Sequence, residues 1–353
     1  MPNAITENKR HSEVPSRRFV LAERPTDRID GNTFRLETTP RAALEPGQAR
    51  IVPLYLSLDP AMRGWLDDRP SYLPPVPIGG VMRARGVGRV VESRSADPLL
   101  AVGGLVVGEL GWRDERVVDS TRNLRVVPAG CSDREVRAEL GLMGNSGLTA
   151  WVGVRIGGPR PCETVVVTAA AGAVGSVAVQ LASMRGARVV GIAGGPDKCA
   201  VLTDQLGFDA AVDYKAPDWL AQLAAATPDG VDVLFENVGG AVFEAVIDRM
   251  NNHARIALCG LISTYNDQST STGPRNFQRF LTKRIRVQGF IVLDQLDQLD
   301  QLEQARQELR PLLAGGDLVM LETVVDGFDQ LPAALRGLFG GANLGKIVVR
   351  LGD

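Results

Sequence analysis

The chain has 353 residues, enough for two domains or for one domain interrupted by another, and too many for a bare binding module. Its 39 Lys and Arg against 41 Asp and Glu leave a net charge of -2 with no run of like charges, which argues against a nucleic-acid or anionic-lipid partner. At 44% hydrophobic and 23% charged the composition is that of an ordinary globular protein, and no apolar stretch approaches the roughly 20 residues of a membrane span.

The opening residues are polar and carry no apolar stretch of signal-peptide length, so a cytoplasmic protein is expected. RFVLAERP (18–25), TFRLETTP (33–40), ARIVPLYLSLDP (49–60) and GVGRVVESR (86–94) are short alternating segments bounded by Pro and Gly. That pattern predicts strands of a mostly antiparallel domain. From residue 163 the character changes. ETVVVTAA (163–170), ARVVGI (187–192), DAAVDY (209–214), VDVLFENV (231–238), ARIALCG (254–260) and RIRVQGFIV (284–292) are near-continuous apolar runs separated by helical stretches. Such runs predict a parallel sheet covered by helices on both faces, a doubly wound α/β unit. LDQLDQLDQLEQARQEL (293–309) is read as a helix continuing to Leu313 rather than as a low-complexity repeat. The tail returns to the first character: LETVVDGF (321–328), a helix at LPAALRGLF (331–339) and GKIVVRL (345–351) add strands and a helix to the first domain. The α/β unit is therefore expected as an insertion, with residues 1–128 and 315–353 in one domain and 129–314 in the other.

Cys131, Cys162, Cys199 and Cys259 are isolated, and the two histidines, His11 and His253, stand in polar surroundings. No CxxC pair and no His-x-x-x-His element is present, so no zinc site is expected. Both histidines read as solvated, which leaves no base for a Ser-His-Asp or Cys-His machine.

The strongest chemical signal is Ala170-Ala171-Gly172-Ala173-Val174-Gly175, between the strand at 164–169 and the helix opening at Ser176. Small residues there let the backbone turn tightly and approach a pyrophosphate seated on the helix N-terminus. Ala170 replaces the usual first glycine, which a slightly wider turn tolerates. An NAD site carries an acidic residue after the second strand to hold the ribose 2′-hydroxyl. Here Ala193-Gly194-Gly195 leave room for a 2′-phosphate, and Lys198 supplies a positive charge. Lys198 as an ordinary solvated lysine, and Asp197 beside it, weigh on the other side; NADPH is the expected cofactor.

With these residues in hand, the chain from about Phe19 to Leu351 resembles the zinc-independent medium-chain dehydrogenase/reductase family, in its prostaglandin, leukotriene and plant double-bond reductase branch. The resemblance is carried by Tyr55-Leu-Ser-Leu-Asp-Pro-Ala-Met-Arg63, Gly147-Leu-Thr-Ala150, the glycine loop, Glu236-Asn-Val-Gly-Gly240, Cys259-Gly-Leu-Ile-Ser-Thr-Tyr-Asn266, Gly289-Phe-Ile-Val292 and Asn343-Leu-Gly-Lys346. It implies a Rossmann unit inserted in a mostly β, GroES-like domain. It also implies that Ala171, Gly172, Ala173, Val174 and Gly175 meet the pyrophosphate and that Lys198 and Tyr214 meet the 2′-phosphate. Asn237, Cys259, Ser263, Tyr265, Phe290, Ile291, Val292 and Asn343 would complete the cofactor cleft. Phe290 could equally be core, and Asn343 could simply cap its own turn. The family usually has Met-Pro before Gly-Leu-Thr-Ala, whereas this chain has Asn145-Ser146, which makes the expected pocket wall at Asn145 more polar.

Without a metal or a histidine base, conjugate reduction asks least of the protein: hydride reaches the β-carbon of an unsaturated ketone or aldehyde, and donors stabilise the enolate. Tyr265 is the candidate catalytic donor. Tyr55 is a weaker pocket candidate, since the strand carrying it could equally bury it. The rivals are a quinone reductase of the same superfamily, a non-catalytic NADPH-binding protein, and a Rossmann methyltransferase, in which the lysine after the second strand has no job. The resemblance also implies a homodimer, for which the strand at 285–292 offers an open edge.

Overall fold

The computed structural model describes residues 15–266, 273–294 and 299–352. The opening segment on which the cytoplasmic expectation rests, with His11, lies outside the described residues, as does part of 293–309. The chain divides into two compact units, one of residues 15–140, 324–336 and 348–352, the other of 141–323 and 337–347.

In the first unit, β1 (Ser16–Leu21) and β2 (Phe34–Thr39) form an antiparallel pair with Phe19 opposite Leu36. The main sheet is built on β3 (Ala49–Leu58), β4 (Arg85–Ser93), β5 (Leu105–Glu109), β6 (Arg116–Val118) and β7 (Leu124–Val126), every consecutive pairing among them antiparallel. Two strands from the tail, β14 (Glu322–Asp326) and β15 (Lys346–Arg350), extend it in the order β14-β15-β3-β4-β5-β7, with β6 on β3. Tyr55, Val87, Val107 and Val348 bury one face of this sheet together with Val136 and Leu140, from and just after helix α1 (Asp133–Ala138). That packing keeps α1 with the first unit, so its boundary falls at residue 140 where the sequence placed it at 128.

The second unit follows the doubly wound expectation. Strands β8 (Thr164–Thr168), β9 (Arg188–Ala193), β10 (Ala210–Asp213), β11 (Val231–Glu236), β12 (Met250–Leu258) and β13 (Arg286–Gly289) are all parallel, in the order β10-β9-β8-β11-β12-β13. The first two strands, β8 and β9, lie side by side, and the order turns from one direction to the other across β8 and β11. That switch point is where doubly wound sheets take their ligands, at the carboxyl ends of the strands. Helices α2 (Asn145–Gly157), α3 (Gly175–Ser183), α4 (Pro196–Leu206), α5 (Trp219–Ala226), α6 (Gly240–Arg249), the short α7 (Gln278–Thr282) and α8 (Leu299–Gly315) complete it. Val166, Val190, Leu234 and Ile256, each at most 1% exposed, show why these strands read as unbroken apolar runs: both faces are covered.

Three elements differ from their sequence-based bounds. β13 stops at Gly289, so Phe290, Ile291 and Val292 follow the strand instead of ending it. Asn251, Asn252 and His253, expected in a turn, are drawn into β12, at the cost of a register shift against β11. Residues 315–323 and 337–347, expected in the first domain, belong to the second unit; over the first of these ranges the side-chain amide of Gln180 in α3 clamps Val319, accepting from its N–H at 2.7 Å and donating to its carbonyl at 2.9 Å. In α8 the buried residues Leu302, Ala305 and Leu309 recur at helical spacing, which is why the part of the leucine-rich run from Leu299 onward is a helix.

Candidate active site

The glycine loop leaves β8 through Ala169, which takes a left-handed φ of 49°. That is where the chain accommodates Ala170 in place of a glycine: the turn is made one residue earlier. Gly175 cannot be replaced, since a Cβ there would stand 2.4 Å from the carbonyl oxygen of Ala169 and 2.9 Å from the Cα of Ala170. Ala170 and Ala171 are buried, and Ser176 and Ala178 donate their N–H groups back to Gly172 and Val174, so the loop feeds directly into α3. The result is a tight cradle on a helix N-terminus, the form that a pyrophosphate requires.

Gly345 closes one side of that cradle. Its N–H donates to the carbonyl of Ala171 at 2.7 Å, and a Cβ on it would lie 1.9 Å from the carbonyl oxygen of Leu321. Asn343 serves this turn: its Nδ2 donates to the carbonyl of Gly345 at 2.8 Å, the self-capping role that its GGANLGK setting allowed.

At the end of β9, Gly194 lies under the ring of Tyr214; a Cβ would meet Cε1 of Tyr214 at 2.8 Å and Cε of Lys215 at 3.0 Å. Gly195 has φ 102° and donates to Asp213 Oδ1 at 2.7 Å, and Lys215 donates its N–H to the same oxygen at 3.0 Å. Lys198 is half-buried, and burial together with the Lys215 ammonium holds its pKa below the usual lysine value. Two lysines and a tyrosine that is 42% exposed therefore gather around a strand tip without side chains of its own. Lys215 was not singled out from the sequence; its signal is its place directly after Tyr214 at the end of β10.

The carboxyl ends of β11 and β12 form the third part. The backbone N–H of Asn237 donates to Thr168 Oγ1 and its Nδ2 to the Thr168 carbonyl, both at 2.8 Å. Glu236 is fully buried, and its Oε1 accepts from the N–H groups of Val238 and Gly239 at 2.5 and 2.6 Å. Burial, only partly offset by these donors, pushes its carboxyl up to about 7. Its second oxygen, Oε2, is buried and has no hydrogen-bond partner. This acid is a second group that sequence reasoning passed over, quoted only as part of Glu236-Asn-Val-Gly-Gly240. Burial, with Glu236 nearby, drives the Cys259 thiol up to about 12, which keeps it protonated.

Ser263 donates its hydroxyl to the carbonyl of Val238 at 2.5 Å, which joins the β12 exit to the β11 loop. Tyr265 is half-buried, and its hydroxyl oxygen lies 3.3 Å from where a Cβ on Gly260 would stand. The absence of a side chain at Gly260 is what admits that hydroxyl to the strand ends. Phe290 packs edge-on against Phe235, with ring centroids 6.3 Å apart, and its Cζ occupies the space that a Cβ on Gly153 would need, at 2.6 Å. The ring is thus anchored in the packing between α2 and β11. Ile291 is half-buried and Val292 is 9% exposed just beyond it. Asn145 is the first residue of α2, half-buried, and Ser146 behind it is buried.

Tyr55 belongs to the first unit. Its ring is in that unit's core, and its hydroxyl donates to Asp133, the burial that its strand allowed. Among the described residues no group of three or more His, Cys, Asp or Glu side chains is arranged to hold a metal ion.

Two family patterns match the chain: one described as the N-terminal domain of oxidoreductase at residues 17–126, the other as zinc-binding dehydrogenase at 173–309. An NADPH-dependent curcumin reductase from Escherichia coli is 41% identical over 341 residues, covering 95% of this chain and 97% of its own. A 2-alkenal reductase (NADP(+)-dependent) from Nicotiana tabacum is 39% identical, covering 84% of this chain and 85% of its own. The crystal structure of CurA from Vibrio vulnificus in complex with NADPH superimposes with a TM-score of 0.89 at 39% identity, covering 96% of this chain and 99% of that one.

Proposed function

This chain belongs to the zinc-independent medium-chain dehydrogenase/reductase superfamily, in its reductase branch, and from that premise we propose that it reduces the carbon-carbon double bond of α,β-unsaturated ketones and aldehydes. It is an NADP-dependent oxidoreductase. The residues fit that cofactor: the cradle at Gly172 and Gly175 admits a pyrophosphate, and the Gly194 tip with Lys198, Tyr214 and Lys215 admits a 2′-phosphate. When bound, the nicotinamide supplies a hydride.

The observation that carries the reading is the position of the Tyr265 hydroxyl over Gly260, at the carboxyl ends of β11 and β12. Hydride addition to the β-carbon of an enone moves negative charge onto the carbonyl oxygen, and a positioned hydroxyl donor stabilises that enolate. Tyr265 is the donor in this scheme. The α-carbon then takes a proton from water or from the Tyr265 hydroxyl. Asn237, locked by two hydrogen bonds to Thr168, and the Glu236 loop hold the surrounding backbone in place. Asn145, half-buried at the start of α2, is the polar wall offered to the substrate in this reading.

The two relatives act, by name, on curcumin and on 2-alkenals, both of which contain conjugated carbonyl groups, and this supports the class of substrate. The test is a screen of NADPH oxidation over enones, enals and quinones with the purified chain. Turnover of enones and enals above quinones is expected; turnover of quinones alone would make the protein a quinone reductase, and tight NADPH binding without any turnover would leave a non-catalytic binding protein.

We further propose a homodimer. The six-stranded sheet ends on β13, whose four residues are all exposed, and an open parallel-sheet edge of this kind is completed when a second copy pairs with it across a two-fold axis. Light scattering at micromolar concentration checks this; a monomer would overturn it.

A further inference from the structure

A cleft of about 580 Å³ opens at the amino ends of β8, β11, β12 and β13, the opposite edge of the sheet from the glycine loop. Arg155, Arg160, Arg255, Arg284 and Arg286 line it, against two carboxylates, Glu163 and Asp232. Arg255 is already committed: its guanidinium grips Glu163 at 2.6 and 2.8 Å and donates to the carbonyls of Gly157 and Gly158 at 3.0 and 2.8 Å. Asp232 is committed as well, accepting from the Thr164 N–H at 2.9 Å and from Asn251 Nδ2 at 2.8 Å. Among the described residues no carboxylate forms a salt bridge with Arg155, Arg160, Arg284 or Arg286. Arg155 stacks on the Trp151 ring at 4.3 Å, Arg284 donates to the carbonyl of Thr282 at 2.7 Å, and the Arg160 guanidinium helps hold the Glu163 carboxyl below its usual value; five guanidinium groups against two carboxylates still leave the concavity with an excess of positive charge, in a protein whose overall charge is slightly negative.

The backbone beneath them is also unusual. His253 and Arg284 adopt left-handed φ values of 62° and 54°, two of the four non-glycine residues that do so among the described residues, and both line this cleft. The N–H of His253 is fixed on the carbonyl of Lys283 at 2.7 Å, and Arg284 Nη2 lies 3.4 Å from His253 Nε2. A non-glycine left-handed residue is strained, and two of them beside each other mark a backbone held in shape by its surroundings.

We propose that this cleft is a second anion site, separate from the cofactor site, which takes a small molecule bearing a di- or triphosphate group. Several guanidinium groups contributed to one cleft by different elements match the many oxygens and high charge of a polyphosphate better than a single carboxylate. The volume admits such a group together with a modest organic remainder. The site lies at the strand ends that the cofactor residues do not use, so occupancy is compatible with bound NADPH.

The test is isothermal titration of the full chain, saturated with NADPH, with inorganic pyrophosphate at fixed ionic strength. One molecule per chain is expected, with a dissociation constant below about 1 mM. Removing one charge-assisted contact weakens binding about tenfold or more, so the double variant Arg160→Gln/Arg284→Asn is expected to lose about 100-fold, with Asn chosen for its tolerance of a left-handed φ. Its melting temperature without pyrophosphate is expected to match the parent, and Arg122→Gln, far along the chain on the other unit, is expected to bind as the parent does. An adventitious ion only, shown by binding in the tens of millimolar or by indifference to the double variant, would overturn the proposal. Displacement of NADPH by pyrophosphate would overturn the separateness of the site, and tighter binding of citrate than of pyrophosphate would overturn the phosphate assignment.

Discussion

The ammonium of Lys198 donates to the carbonyl oxygen of Gly341 at 2.8 Å, tying the first turn of α4 to the turn that carries Asn343. The acceptor is neutral, so the cation keeps its full charge for an incoming anion, and the nearby Lys215 ammonium raises the gain from supplying one. Replacing Lys198 with Ala is expected to weaken NADPH binding by roughly 1.5–3 kcal/mol while leaving NADH nearly untouched. Paired titrations of the two cofactors check it. Equal losses for both would defeat the assignment, and a larger loss in the Lys198→Ala/Lys215→Ala pair is expected because both charges reach the same strand tip.

Tyr265→Phe removes one hydroxyl and leaves the ring over Gly260. If the hydroxyl donates to the enolate, enone turnover falls by up to about 10²-fold while NADPH affinity stays where it was. Steady-state kinetics separate the roles. Unchanged turnover with poorer enone affinity would make Tyr265 a pocket wall.

Gly175→Ala forces a Cβ to within 2.4 Å of the Ala169 carbonyl, a backbone atom that cannot swing aside. A loss of about 1–3 kcal/mol in stability is expected, with a marked loss of NADPH affinity as the cradle opens. Thermal melts with and without NADPH measure both, and an unchanged cofactor affinity would show that the loop is not the pyrophosphate seat.

Glu236 makes the chain's stability depend on pH in a stated direction. Its folded value near 7 lies above the ordinary value of 4.5, so between those limits the folded chain holds a proton that the unfolded chain has released. Stability therefore falls as pH rises through that window, by up to about 3 kcal/mol once the pH exceeds 7. Glu236→Gln keeps an acceptor for Val238 and Gly239 but cannot ionise. The difference in unfolding free energy between variant and parent is expected to grow in the variant's favour from pH 5 to pH 8; a constant difference would show that Glu236 is ionised throughout.

The parallel sheet was legible because strands covered on both faces are apolar through their middles, as in the Val165–Val167 and Val233–Phe235 stretches of TVVVT and VDVLFE, with polar residues kept near their ends. The cradle was legible for a similar reason, since close backbone approach at Gly172 and Gly175 excludes side chains whatever surrounds them. Domain edges were not, because they depend on partners remote in sequence: Val136 buried beside Tyr55 draws α1 one way, and the Gln180 clamp on Val319 draws 317–323 the other. Phe290 was ambiguous until Gly153 was seen to make room for it. Glu236 escaped notice because an acid at a strand end reads as solvated, and only the fold reveals that the loop after it turns its N–H groups back onto the carboxyl.

The bond from Gly345 to Ala171 sets an order of events during synthesis. A nascent chain that has emerged through α8 already contains every strand of the parallel sheet, yet the side of the cradle that Gly345 closes is still inside the ribosome or unmade. Closure of the cradle is therefore deferred until the second pass of the chain, after the tail has contributed residues 324–336 to the first unit. A truncation that stops short of Gly345 would keep every strand of the parallel sheet and still lack one side of the cradle.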